Sequence, residues 1–307
     1  MTATYNPGVH KFALFVVLWA ILLFVAGALV TSNDAALSVT DWPKSHGTWF
    51  PSLKTLKGGD LFEFSHRLFA AGLGLLTAVL AAWLWTREKR TWLRWFALIA
   101  VLGVAVQAAL GGQVVIQLLH YWLPVIHACF AQIVFAAVLS IAVFTSKWWV
   151  SDQPQLEDSG SPSIHFLATL NAAVIYLQVI LGAGFRHKEI PIWPHMAGAL
   201  VVLGVVIWTA VALRKRFGQS RELSRARVML HAIFGTQFLL GFGAYWSRLT
   251  TVDAPQPMPV MVYLTVIHTV VGAVLFAFSI LIVLMCYRLV PRCREVRAAA
   301  ARQVSPG

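Results

Sequence analysis

The chain has 307 residues, 59% of them hydrophobic and only 12% charged, with a mean hydropathy of +0.73. A soluble domain carries about a quarter charged residues, so the composition excludes a soluble enzyme and describes a polytopic membrane protein. The net charge of +12 does not point to nucleic acid. Its main clusters are Arg87, Lys89, Arg90 and Arg94; Arg214, Lys215, Arg216, Arg221, Arg225 and Arg227; and Arg288, Arg292, Arg294, Arg297 and Arg302, all flanking apolar runs as cytoplasmic loops do.

Runs of about 20 apolar residues span a bilayer as helices. Eight are predicted in chain order, at 12–31, 65–85, 94–115, 124–145, 164–185, 193–213, 228–247 and 261–287. The first is too long for a cleavable signal peptide. An even number of spans, with the basic segments after the second, sixth and eighth, places both termini in the cytoplasm. The segment 146–163 is rich in Ser, Pro and Gly and reads as a flexible linker between two halves. The outer loops are then 32–64, 116–123, 186–192 and 248–260. Cys129, Cys286 and Cys293 do not form a disulfide framework.

Two repeats run through these spans. Each even-numbered span carries a histidine near its outer end, at His66, His127, His195 and His268, with a small residue four positions on at Ala70, Ala131, Ala199 and Gly272. The third, fifth and seventh spans end in Gln107-Ala-Ala-Leu-Gly111, Gln178-Val-Ile-Leu-Gly182 and Gln237-Phe-Leu-Leu-Gly241, with a weaker form around Gly27 in the first. Such small residues let helices approach closely. The fold expected is an all-α integral membrane protein of eight transmembrane helices in two pseudo-symmetric four-helix bundles. Residues 1–150 form the first, 151–163 the linker and 164–307 the second.

An ionisable residue inside a membrane helix is costly and marks function. Two histidines per bundle point to one heme per bundle, its iron held between facing imidazoles. Zinc usually needs four close ligands, and neither thiolates nor carboxylates accompany these pairs in the numbers required. Small residues one turn beyond each histidine leave room for a flat macrocycle. Arg67, Arg186, Lys188 and Arg248 are candidates to pair with heme carboxylates. His10, His46, His120, His165, His187 and His231 read as solvated or structural. Glu63 distinguishes the halves: Glu63-x-x-His66 in the first is matched by Ile192 before His195 in the second. One reading is a helix cap, since Asp60-Leu-Phe-Glu63 fits a capping box; the other is an acid that moves protons beside a heme edge.

At Gly27-Ala-Leu-Val-Thr31, Asp41-Trp42-Pro43, Glu63-x-x-His66-Arg67, Val125-Ile-His127-Ala128 and Val266-Ile-His268 the chain resembles the heme A synthase family, over nearly its whole length. The resemblance implies eight transmembrane helices in two related halves and a heme-dependent membrane oxidoreductase. Such an enzyme oxidises a ring methyl of heme O to the formyl of heme A, for terminal oxidases. It implies that Glu63, His66 and His127 bind heme O and carry the chemistry in the N-terminal half, and that His195 and His268 hold a heme B in the C-terminal half. The partners implied are a heme O synthase and a separate electron donor, in the inner (plasma) membrane of a bacterial-type cell. Both heme sites would lie near the outer face. Many bacterial members carry a cysteine pair in the first outer loop, where Ser38 and Ser45 stand here. The alternatives are a two-heme membrane cytochrome b acting only in electron transfer, and a transporter with a histidine proton relay.

Overall fold

A computed structural model describes residues 5–52 and 54–291. It contains α1 (Pro7–Ser32), α2 (Gly59–Arg87), α3 (Thr91–Ile116), α4 (Leu123–Phe144), the short α5 (Lys147–Val150), α6 (Ile164–Arg186), α7 (Ile192–Phe217), α8 (Arg221–Thr250) and α9 (Pro259–Leu289). All except α5 are long and apolar enough to cross a membrane, and no strand occurs among the described residues beyond an isolated Ser45–Thr48 bridge. The chain is a multi-pass, all-helical membrane protein. Cys293 and the basic residues from Arg292 onward lie outside the described residues.

Local chemistry sets the helix starts. Asn6 accepts from the amides of Gly8 and Val9 to cap α1, Ser163 caps α6 and Ser220 caps α8. Pro7, Pro124 and Pro259 sit in first turns, where a missing N–H costs nothing. The helices run past the apolar cores expected from sequence. Arg214–Arg216 belong to the last turn of α7, and Arg221, Arg225 and Arg227 to the first turns of α8. Long basic side chains permit this, because their stems lie along apolar surface while the charge stays in water.

Helix α1 packs on α2, α2 on α3, α3 on α4, and α4 closes on α1; α6 to α9 repeat the same ring. One apolar core lies mainly within α1–α4 and another mainly within α6–α9. The rings meet where α1 and α4 pack on α9 and α4 packs on α6. Ala28, Val262 and Val266 join α1 to α9 there, and the Tyr176 hydroxyl donates to the Cys129 carbonyl at 3.3 Å. Cys129 and Cys286 are both buried free thiols.

The segment after α5 is anchored rather than free. Its Leu156 amide donates to the Leu289 carbonyl at 2.8 Å, and Arg288 of α9 donates to the Ser151 carbonyl at 2.7 Å. Asp158 accepts from the amides of Gly160 and Ile164 and pairs with Arg216 of α7 at 3.2 Å. Composition could not show this, because each anchor is a contact with a distant helix. Asp158→Ala removes one partner of a largely buried pair, and thermal unfolding in detergent should register a loss of about 3 kcal/mol.

Candidate functional site

Each of the four repeated histidines lies in the first three turns of its helix, and each ring rests on a glycine of the preceding long helix. A β-carbon built on Gly27 of α1 would lie 3.0 Å from Cε1 of His66 on α2. The same atom would lie 3.0 Å from His127 at Gly111, 2.9 Å from His195 at Gly182 and 2.9 Å from His268 at Gly241. At Gly182 and Gly241 the separation is too short for a real β-carbon and a larger residue would shift the ring; at Gly27 and Gly111 it is tight enough that the ring would have to give by a few tenths of an ångström. The repeated Gly is therefore a ring seat as well as a helix-approach residue.

The glutamines one turn before three of these glycines hold the rings from the side. Nε2 of Gln107 lies 3.1 Å from Nδ1 of His127 and donates to the His127 carbonyl at 2.9 Å. Nε2 of Gln178 makes the same two contacts with His195 at 3.0 and 2.8 Å. Nε2 of Gln237 lies 3.3 Å from Nε2 of His268. Sequence reasoning found the Gln-x-x-x-Gly repeat but assigned no role to the amides; their i, i+4 spacing with the glycine was the available signal. The space at Gly272, expected to admit a macrocycle, is occupied by Gln237, whose Nε2 would be 2.9 Å from a β-carbon there.

The first histidine differs. Leu23 of α1 stands where the glutamines stand, with no polar side-chain atom; its backbone lies near His66. Nδ1 of His66 is buried and makes no hydrogen bond of ordinary length and angle. Glu63, three residues before it on the same helix, is 3% exposed. The capping box is not formed: α2 starts at Gly59 after an N-cap Gly58 with no side-chain cap. The Glu63 carboxylate instead turns to the loop between α1 and α2, where Oε2 accepts from the Val39 amide at 2.9 Å. Oε1 pairs with Arg67 at 2.7 Å.

In the second half the rings of His195 and His268 face one another, with centroids 6.4 Å apart and planes at 87°. Two imidazoles on opposite sides of one metal ion, with bonds of ~2 Å, bring ring centres to about this separation. His66 and His127 are close enough to interact electrostatically. Among the described residues no three His, Cys, Asp or Glu side chains converge as a metal site. A metal held here must bring its own equatorial ligands, as heme iron does. The glycine-seated rings, the 6.4 Å between the His195 and His268 centroids and the buried, unpartnered Nδ1 atoms of His66 and His268 fit that group.

The basic candidates divide. Arg67 is engaged by Glu63 and the loop between α1 and α2. Arg186 is held by Ser32 of α1 at 3.2 Å, Arg248 lies 5.5 Å over the Phe185 ring, and Lys188 is exposed in the α6–α7 turn. His187, read from sequence as solvated or structural, approaches His127 from the other half. Burial, then Arg186 and His127, pushes its pKa down to about 4, which leaves it neutral at pH 7. His46 pairs with Asp60 at 3.2 Å. His165 donates to the Val290 carbonyl at 2.9 Å, and Nδ1 of His231 donates to the Arg227 carbonyl of its own helix at 2.8 Å.

Comparison with known proteins meets this geometry from an independent side. The chain is similar to the protein named Heme A synthase of Novosphingobium aromaticivorans, 25% identical over 350 residues that cover 90% of this chain and 96% of that protein. It is similar to the Heme A synthases of Bacillus licheniformis, 25% identical with 80% and 88% covered, and of Listeria welshimeri, 24% identical with 89% and 94% covered. A family model described as cytochrome oxidase assembly protein (COX15-CtaA) matches residues 10–199, the stretch that contains His66, His127, His195 and Glu63. The chain belongs to this family of cytochrome oxidase assembly proteins.

Proposed function

We propose that the protein is a heme A synthase: a membrane oxidoreductase that converts heme O to heme A by oxidising a ring methyl to a formyl group. Family membership and the curated relatives support the activity. The observation that carries an enzyme over a plain two-heme relay is the unequal dressing of the two histidine pairs. A buried carboxylate–arginine pair, Glu63–Arg67, stands beside His66, whereas Ile192 occupies the matching place before His195.

In this reading residues 1–150 form the substrate half and residues 164–307 the second half, joined by 151–163. His66 and His127 receive heme O as substrate. His195 and His268 hold a heme B, which when bound supplies a redox-active iron. The chain's own residues do the rest. Gly182 and Gly241 seat the second-half rings, and Gln178 and Gln237 orient them. Gly111 and Gln107 fix His127. His66 is seated by Gly27 but held by no glutamine. Glu63 holds or moves a proton beside His66, with Arg67 and the Val39 amide fixing its two oxygens. Molecular oxygen would be the oxidant, a separate donor would supply the electrons that its activation needs, and a heme O synthase would supply the substrate. The termini face the cytoplasm and the histidines lie toward the outer face of a bacterial-type inner membrane, as the basic turns support.

The test is co-expression with a heme O synthase, then heme extraction and chromatography with mass detection. Heme A or its hydroxylated intermediate is the expected product. Heme B alone, with heme O abundant and unchanged, would overturn the synthase reading in favour of the relay.

A further inference from the structure

The first outer loop is tied down through one side chain. Nη1 of Arg67 donates to the carbonyls of Asp41 and Lys44, both at 2.7 Å, and to Oγ of Ser45 at 3.3 Å. Its Nη2 donates to the Val39 carbonyl at 2.9 Å and to Oε1 of Glu63 at 2.7 Å. Two terminal nitrogens carry four N–H groups, and five acceptors surround them, so these nitrogens have no donor left for a ligand carboxylate. The two terminal nitrogens of Arg67 are therefore committed to the loop and to Glu63.

The loop so held crosses from α2 to α3. On the α2 side Val39 is 0% exposed and its amide caps the Glu63 carboxylate. On the α3 side Trp42 lies against Gly112, where a β-carbon would come within 2.6 Å of the indole Cε2. Gly112 follows Gly111, the seat of His127. The segment thus reaches from the Glu63 carboxylate on α2 to Gly112 on α3, the residue next to the seat of His127. Past this crossing, Asp41 accepts from the amides of His46 and Gly47 at 2.9 and 2.8 Å and closes the turn. The Gly47 amide, ahead of smaller contributions from His46 and Arg67, holds the Asp41 carboxyl below its usual range.

We propose that Arg67 is a positioning residue that latches the segment Val39–Ser45 across the mouth between His66 and His127 while it orients Glu63, so that a large flat ligand reaches the first histidine pair only when this latch releases. That the ligand is heme O rests on the function proposed above; the latch does not. Arginine suits the task because its planar fork meets several carbonyls and a carboxylate at once, whereas lysine presents a point charge.

The experiment is thiol labelling of the full chain in detergent. Val39→Cys serves as the reporter, with Cys129 and Cys293 replaced by alanine and the buried Cys286 kept as a monitor of global opening. With Arg67 intact, a water-soluble maleimide should react slowly at position 39. Arg67→Gln should raise that rate about tenfold or more, as loss of several hydrogen bonds to a charged donor implies. Arg67→Lys should raise it less, and Cys286 should stay protected in both. An unchanged rate at position 39 in Arg67→Gln overturns the latch. Equal acceleration at both cysteines in both variants also overturns it, because Arg67 would then support the whole fold and not the loop. A second readout is the kinetics of heme O conversion, where Arg67→Lys should lower kcat and leave KM nearly unchanged. A kinetic failure with intact labelling results counts against the enzymatic reading alone.

Discussion

Glu63→Gln is expected to lower heme A formation by about 10²–10⁴-fold, the range for loss of a positioned proton carrier, while heme stays bound. The substitution keeps the shape of the side chain. It removes the charge, and its amide must turn a donor toward either Arg67 or the Val39 N–H, both of which are donors themselves. One contact is therefore lost, at about 1–3 kcal/mol. The variant should remain folded and its heme-to-protein ratio close to that of the parent. The measurement is the rate of heme A appearance in membranes supplied with heme O, beside that ratio. Full conversion would leave Glu63 as an anchor for the outer loop and nothing more.

Replacing His268 by alanine should empty the second half and leave the first half able to take up heme O. His195 would then face a gap where the ring 6.4 Å away had been. The expected result is loss of one heme per chain in the absorbance spectrum, with heme A formation falling below detection for want of the second-half heme. Gly241→Val reaches the same end with every histidine in place, because even a first side-chain carbon at that position lies 2.9 Å from Cε1 of His268. Agreement between the two variants would tie the loss to ring placement. Undiminished heme content in His268→Ala would show that the two rings do not share a ligand.

The eight spans were legible because lipid is the solvent: a run of about 20 apolar residues satisfies its own backbone as a helix whatever its neighbours. The recurrence of histidine near one end of alternate spans was visible for the same reason, since helix ends follow from where apolar runs stop. The roles of other residues were not. Glu63 fits a capping box by spacing, yet its carboxylate bonds to Val39 and Arg67. Arg67 read as a candidate partner for heme carboxylates, and its terminal nitrogens are the hub of a loop. The segment around Asp158 has the composition of a flexible linker and is pinned to α7 and α9.

The sequence by itself determined the number of membrane-crossing helices, the membrane as surroundings, and the four-histidine pattern with a carboxylate at one copy. These follow from hydropathy and spacing along the chain, which act locally. Only the tertiary structure decided that Gly27, Gly111, Gly182 and Gly241 seat the four rings. It also decided that three glutamines reach their histidines while Leu23 takes the fourth place, and that the loop between α1 and α2 closes onto Arg67. Each of these is a contact between segments that do not adjoin in the chain, and which segments meet is set by how the helices pack.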